Sequence, residues 1–124
     1  MPSVMIVEDD PDTREMLERF LELEGFDVRT AANGQLALEA LQHEALQDDT
    51  PCVILLDLMM PVMNGWQFRE KQVRDPRFSS IPVVVVTTAG PREEIPAINA
   101  DGWLSKPVDF DRLLATIGSL CQKS

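Results

Sequence analysis

Apolar residues recur along this chain in two alternating rhythms. Residues 4–7, 53–56 and 81–86 are short unbroken apolar runs bounded by polar or turn residues, the pattern of strands buried in a parallel sheet. Residues 26–31 alternate apolar and polar, as an edge strand open on one face does, and Gly102 to Ser105 is a short last strand. Between these runs the apolar spacing turns helical. Met16, Phe20 and Leu23, with Leu17 and Leu21 beside them, form a first stripe, with Asp10 as cap, Pro11 in the first turn and Gly25 as the stop. Asn33-Gly34 leads into a second helix with Ala37, Leu38, Leu41 and Ala45 on one side. A third follows Gly65, with Trp66, Phe68 and Val73 turned inward, and ends before Pro76. Residues 90–100 contain Pro91 and Pro96 and predict a poor helix, irregular at the Pro96 end. Phe110, Leu113, Leu114, Ile117 and Leu120 mark a final helix starting near Asp109. Strand and helix thus alternate five times, which predicts an α/β fold with a parallel sheet.

Composition narrows this picture. At 124 residues the chain reads as one domain, 1–124, without internal repeat, low-complexity tract or linker. The formal charge of −10 argues against direct nucleic-acid binding and is compatible with acids gathered around a cation. No apolar run approaches the ~18 residues of a membrane span, and no basic region precedes the first apolar run, so membrane insertion and a signal peptide are not expected. Cys52 and Cys121 lie inside apolar patterns and are read as reduced core residues of a cytoplasmic protein.

The stretch Cys52 to Gly65, C-V-I-L-L-D-L-M-M-P-V-M-N-G, organises the rest. Its apolar run ends in a single carboxylate, Asp57. In open parallel sheets the ligand crevice lies beyond the carboxyl ends of the strands. Asp57 can therefore serve chemistry there or cap the following turn, and this stretch alone does not choose. Right-handed crossovers bring the other strand ends to the same edge. The first ends in Glu8-Asp9-Asp10, the fourth in Thr87 and the fifth in Lys106. Clustered carboxylates raise one another's pKa unless a cation is present. Oxygen donors without His or Cys point to Mg²⁺. Carboxylate, divalent metal, ammonium and hydroxyl together suit phosphoryl transfer to an aspartate, which needs mainly positioning and charge neutralisation.

With V-E-D-D, D-L-M-M-P-V-M-N-G, P-V-V-V-V-T and W-L-S-K-P in this order, the chain resembles the receiver domain of two-component response regulators over essentially its whole length. The resemblance implies a flavodoxin-like three-layer α/β/α fold with sheet order 2-1-3-4-5, an arrangement the general rules of such folds already assign to a chemotaxis receiver. It implies that Asp57 accepts a phosphoryl group from a histidine kinase or histidine phosphotransfer protein. Asp9, Asp57 and the backbone carbonyl of Met59 would bind Mg²⁺, with Glu8 acting through water and Asp10 left as a cap. Lys106 would pair with the phosphoryl oxygens and Thr87 would move to hydrogen-bond them. Trp103 stands where the family has its switch aromatic, and the Lys106-Pro107 bond is cis in the family. The function so implied is a phosphorylation-dependent signalling switch. It would change its affinity for a downstream protein target through Thr87, Trp103 and the segment 88–105. It would be a phosphoacceptor with Mg²⁺-dependent self-phosphorylation from phosphodonors and slow self-dephosphorylation, not an enzyme.

Other classes fit less well. A haloacid-dehalogenase-type enzyme wants a second Asp two residues after its nucleophile, where Met59 stands. A flavodoxin-like flavin binder wants a Ser, Thr and Gly-rich loop after the first strand, and three acids there would repel the phosphate. A pseudo-receiver would lack the Asp or the Lys. His43, near the polar end of the second helix, is read as a solvated surface residue, and Trp66 as packing.

Overall fold

The computed structural model describes residues 2–88 and 98–121. Five parallel strands, β1 (Ser3–Val7), β2 (Asp27–Ala31), β3 (Val53–Leu56), β4 (Val83–Thr87) and β5 (Gly102–Ser105), form one sheet in the order β2-β1-β3-β4-β5. The described helices are α1 (Pro11–Leu23), α2 (Gly34–Leu46), α3 (Gly65–Val73) and α4 (Phe110–Leu120). The fold is the flavodoxin-like one expected, with β2 at an edge. In register, Val7 of β1 lies beside Leu56 of β3, and Leu56 beside Val85 of β4. β1 and β3 therefore end level with each other, and β4 runs past them to Thr87 at the same edge of the sheet.

Side-chain alternation divides the core into two layers. Met5, Val7, Ile54, Leu56, Val83 and Val85 pack with Ala37, Leu38, Leu41 and Phe68 of α2 and α3. Val4, Ile6, Val53, Leu55, Val84 and Val86 pack with Leu17, Leu21, Leu113 and Ile117 of α1 and α4. Each central strand is thus apolar on both faces, which is why its sequence reads as an unbroken run. Caps set the helix starts: Asp10 accepts from the Thr13 N–H, Asn33 from Leu36, Asn64 from Gln67 and Asp109 from Asp111 and Arg112. Gly25, at φ +95°, takes the left-handed turn after α1.

Three sequence expectations need correction. In α1 the inward pair is Leu17 and Leu21, whereas Met16 is 45% and Leu23 85% exposed. The i, i+4 pair sets the phase of that helix. In α3, Val73 is exposed and Gln72 is buried instead. The α3 face carrying Gly65, Phe68 and Gln72 turns inward, and the Gln72 amide donates to the carbonyls of Phe78 and Ile81, both at 3.0 Å, as the chain returns to the sheet. Trp66 is half-buried against the core. Finally, Cys52 and Cys121 are not reduced: they form a disulfide, with Cα atoms 5.3 Å apart. A crossover helix runs antiparallel to its strands, so the C-terminal end of α4 returns to the edge where β3 begins. The poor helix expected at 90–100 falls mostly on residues 90–97, which lie outside the described residues, as does the stretch 89–97 of the expected switch segment 88–105.

Candidate functional site

β1 ends in Glu8, whose N–H donates to the Ala31 carbonyl at 3.0 Å. Its side chain is 2% exposed. β3 ends in Asp57, whose N–H donates to the Val7 carbonyl at 3.0 Å, fixing its backbone beside the end of β1. Lys106 follows β5, and its N–H donates to the Thr87 carbonyl at 3.0 Å, tying it to the end of β4. The sheet ladder thus extends one step beyond the strands and carries each functional side chain to the same edge.

There Lys106 Nζ lies 2.7 Å from Glu8 Oε1 and 3.6 Å from Asp57 Oδ2. Carboxylate oxygens of Glu8, Asp9 and Asp57 lie within 4.8 Å of one another. Burial first, and the Glu8 charge second, push the Asp57 carboxyl up to about 7, with Lys106 acting the other way. Burial works against the Lys106 ammonium, but its contacts with Glu8 and Asp57 outweigh that and raise its pKa. The arrangement therefore holds more negative charge than one ammonium neutralises. An all-oxygen donor set, two of its members buried, fits a hard divalent cation such as Mg²⁺, which takes one or two carboxylates and completes its shell with water and phosphate oxygens.

The loop after Asp57 is fixed by close backbone approaches. Gly65 donates its N–H to the Leu58 carbonyl at 2.9 Å, and a Cβ there would stand 2.8 Å from the Asp57 carbonyl oxygen and Leu58 Cα. Gly34, at the start of α2, donates to the Met63 carbonyl at 3.2 Å, and a Cβ on it would lie 2.9 Å from that same oxygen. The N-G pairs in the sequence mark both places where only a bare backbone fits. Met59 N–H faces Asp57 Oδ1 at 3.4 Å, while the Met59 side chain is 61% exposed. Val62 takes a left-handed φ of 68°.

The structure brings Glu8, Asp9, Asp57 and Lys106 together. Thr87 is 1% exposed at the end of β4, directly linked to Lys106 through the backbone. Trp103 on β5 pairs in register with Val85 of β4 and is half-buried against the α2–α3 side of the core. The Lys106-Pro107 peptide is cis. The Asp10 carboxylate caps α1, while the Asp10 N–H donates to Glu8 Oε2 at 3.1 Å. His43 is exposed, 3.0 Å from the Gln47 amide. Sequence reasoning did not single out Arg14, whose guanidinium donates to the Glu8 carbonyl at 2.8 Å and braces the β1 end. Its place one turn into α1, after three acids, was the available signal.

A family profile described as the response regulator receiver domain matches residues 4–118. The chain belongs to that family. Receiver domains of this family are phosphoacceptor signalling proteins rather than conventional enzymes. Response regulator Rre1 of Synechocystis sp. is 39% identical over 122 residues, covering 95% of this chain and 51% of that protein. This receiver chain thus spans about half the length of the curated relatives it matches first. Protein PilH of Pseudomonas aeruginosa, 34% identical, is matched across 97% of this chain and 98% of its own length. The solved structure of the chemotaxis protein CheY4 of Vibrio cholerae superposes with a TM-score of 0.83 at 32% identity, covering 97% of this receiver and 98% of that one. Among the described residues no helix is long and apolar enough to cross a membrane.

Proposed function

We propose that this receiver is a phosphorylation switch whose acceptor is Asp57. The observation that carries the reading is the buried Asp57 carboxylate with Lys106 Nζ at 3.6 Å and two further acids beside it, at the carboxyl edge of the sheet. The donor is a phosphohistidine on a histidine kinase or histidine phosphotransfer protein. An oxygen of Asp57 attacks phosphorus, the P–N bond breaks, and the departing imidazole takes up a proton. The product is an acyl phosphate on Asp57. Asp9, Asp57 and the Met59 carbonyl would hold Mg²⁺, with Glu8 acting through water, and the bound ion would supply neutralisation of the carboxylates and of the transferring phosphoryl oxygens. Lys106 pairs with a phosphoryl oxygen, leaving its present contact with Glu8. Transfer then needs little beyond positioning and charge neutralisation.

Phosphorylation adds about −1.5 to −2 charge and strong acceptor oxygens. The Thr87 hydroxyl moves to the new group, Trp103 changes position, and the segment 88–105 presents a different surface to a downstream protein. Residues 1–124 are read as one receiver domain that works in the cytoplasm. The RpaA protein of Synechocystis sp., 34% identical, is named as a DNA-binding transcriptional regulator, a property of that longer protein. This chain's own output is read as protein binding.

Incubation with a small phosphodonor and Mg²⁺, followed by intact mass measurement, tests the assignment. One phosphoryl group should add, and Asp57→Asn should abolish it. Continued labelling of that variant at Glu8 or Asp9 would overturn the choice of acceptor.

A further inference from the structure

The disulfide joins the far ends of two elements whose near ends carry the site. Cys52 immediately precedes β3, and Asp57 immediately follows it. Cys121 is the C-cap of α4, and Lys106 lies just ahead of the Asp109 cap that starts this helix. Following the chain from Cys52 along β3 to Asp57, across the 3.6 Å gap to Lys106, along α4 to Cys121 and through the disulfide closes a ring. Two of its sides are rigid elements. The other two are the Asp57–Lys106 contact and the disulfide.

We propose that Cys52–Cys121 is a thiol–disulfide exchange site for a dithiol reductant, and that its state sets how firmly α4, and with it Lys106, is held against β3. Both cysteines are half-buried, so an incoming thiolate has access, and both lie against the apolar cluster shared by α1 and α4. In the exchange, one reductant thiolate attacks a protein sulfur, the S–S bond breaks, and the other cysteine leaves and takes a proton. The second reductant thiol then displaces the mixed disulfide. Two electrons and two protons pass to the protein, and the reductant departs as a cyclic disulfide.

Opening the bond leaves α4 held by Leu113, Ile117 and the tilted contact of Phe110 with Phe20, whose ring centroids are 4.2 Å apart. These contacts hold the first two-thirds of the helix. The last turn, with Leu120 and Cys121 half-buried, depends most on the covalent tie. Local opening spreads from such weakly held ends, and Lys106, whose backbone is tied to β4 at Thr87, is joined to the head of α4 through Pro107, Val108 and the Asp109 cap.

The coupling to Lys106 rests on the phosphoacceptor reading, and the test separates the two. Protein oxidised with glutathione disulfide and protein reduced with a dithiol are compared by phosphodonor uptake with Mg²⁺ and by hydrogen exchange over residues 113–121. Cys121→Ser serves as a permanently open control and Cys52→Ser as a second. Reduction should slow uptake at least threefold and speed exchange in the last turns of α4 at least tenfold, with both serine variants matching the reduced protein and ignoring the dithiol. Equal uptake in the two states overturns the inference, as does alkylation of both thiols in the oxidised sample. If neither state is labelled, the phosphoacceptor reading fails, and exchange alone decides: faster after reduction supports the clamp, unchanged overturns it.

Discussion

Asp57 is held in an environment that opposes its own charge. Its carboxyl is pushed up to about 7 by burial and by Glu8, against the pull of Lys106. An unfolded Asp titrates near ~3.9. Between those values the folded state binds the extra proton, so this group makes stability fall as pH rises from about 4 to about 7. Each unit of such a shift corresponds to about 1.4 kcal/mol. Asp57→Asn should therefore be more stable than the parent at pH 8 by more than about 1 kcal/mol, the gap closing towards pH 4 and shrinking when Mg²⁺ is added. Urea unfolding at pH 5 and 8, with and without the metal, measures it; a gap independent of pH would show that Asp57 is not under electrostatic strain.

Gly65 acts at the same scale by what it lacks. Its missing Cβ leaves room for the Asp57 carbonyl oxygen and Leu58 Cα, both backbone atoms that cannot rotate away. Gly65→Ala should cost about 1–3 kcal/mol and slow phosphoryl uptake, because the relief has to come from moving the end of β3. Normal uptake in a destabilised variant would separate the loop from the acceptor geometry. Asp57, both N-G turns and the Lys106-Pro107 pair were all legible as residues in the sequence. Each interrupts an apolar rhythm where the rhythm gives no reason to stop.

At the scale of elements, legibility depended on how many faces were buried. The central strands, apolar on both sides, could be read directly, and their limits moved by only a residue or two. The four described helices were placed correctly, but two were given the wrong inward face. In α3 only nine residues are helical, too few for the apolar positions to fix a phase. A polar side chain then took the buried place for a reason that spacing does not encode. Gln72 satisfies the Phe78 and Ile81 carbonyls, and Arg69 in turn donates to the Gln72 side-chain oxygen at 2.8 Å. Gln72→Leu keeps the volume and removes both donors. With an unsatisfied buried acceptor worth about 1–3 kcal/mol, a loss of about 2–4 kcal/mol is expected, whereas Val73→Ala, on the exposed neighbour, should change stability by less than about 0.5 kcal/mol. Denaturant midpoints of the two variants check the assignment of the inward face. Equal effects would return Val73 to the core.

Across the whole molecule, the alternation of strands with helices predicted a parallel sheet, whereas its order β2-β1-β3-β4-β5 was implied by the resemblance to receiver domains and is the order the structure has. The same topology contained the disulfide, unread. Each cysteine sits where its element meets the edge opposite the acidic cluster, but the two are separated by 69 residues, and an apolar neighbourhood suits a free thiol equally well. Spacing along the chain could not distinguish these outcomes; only the closing of the sheet and the return of α4 did. The bond should matter to global stability independently of any effect on the site. In the chain-entropy account, cross-linking residues this far apart removes loop-closure freedom from the unfolded state worth about 4 kcal/mol, or roughly 10–15 °C in melting temperature for a domain of this size. Thermal melts before and after reduction should show that drop, and Cys52→Ser should melt with the reduced protein and be unmoved by reductant. A reduced protein that melts with the oxidised one would mean that its unfolded chain already keeps the two ends together, or that the bond contributes nothing to holding α4 in place.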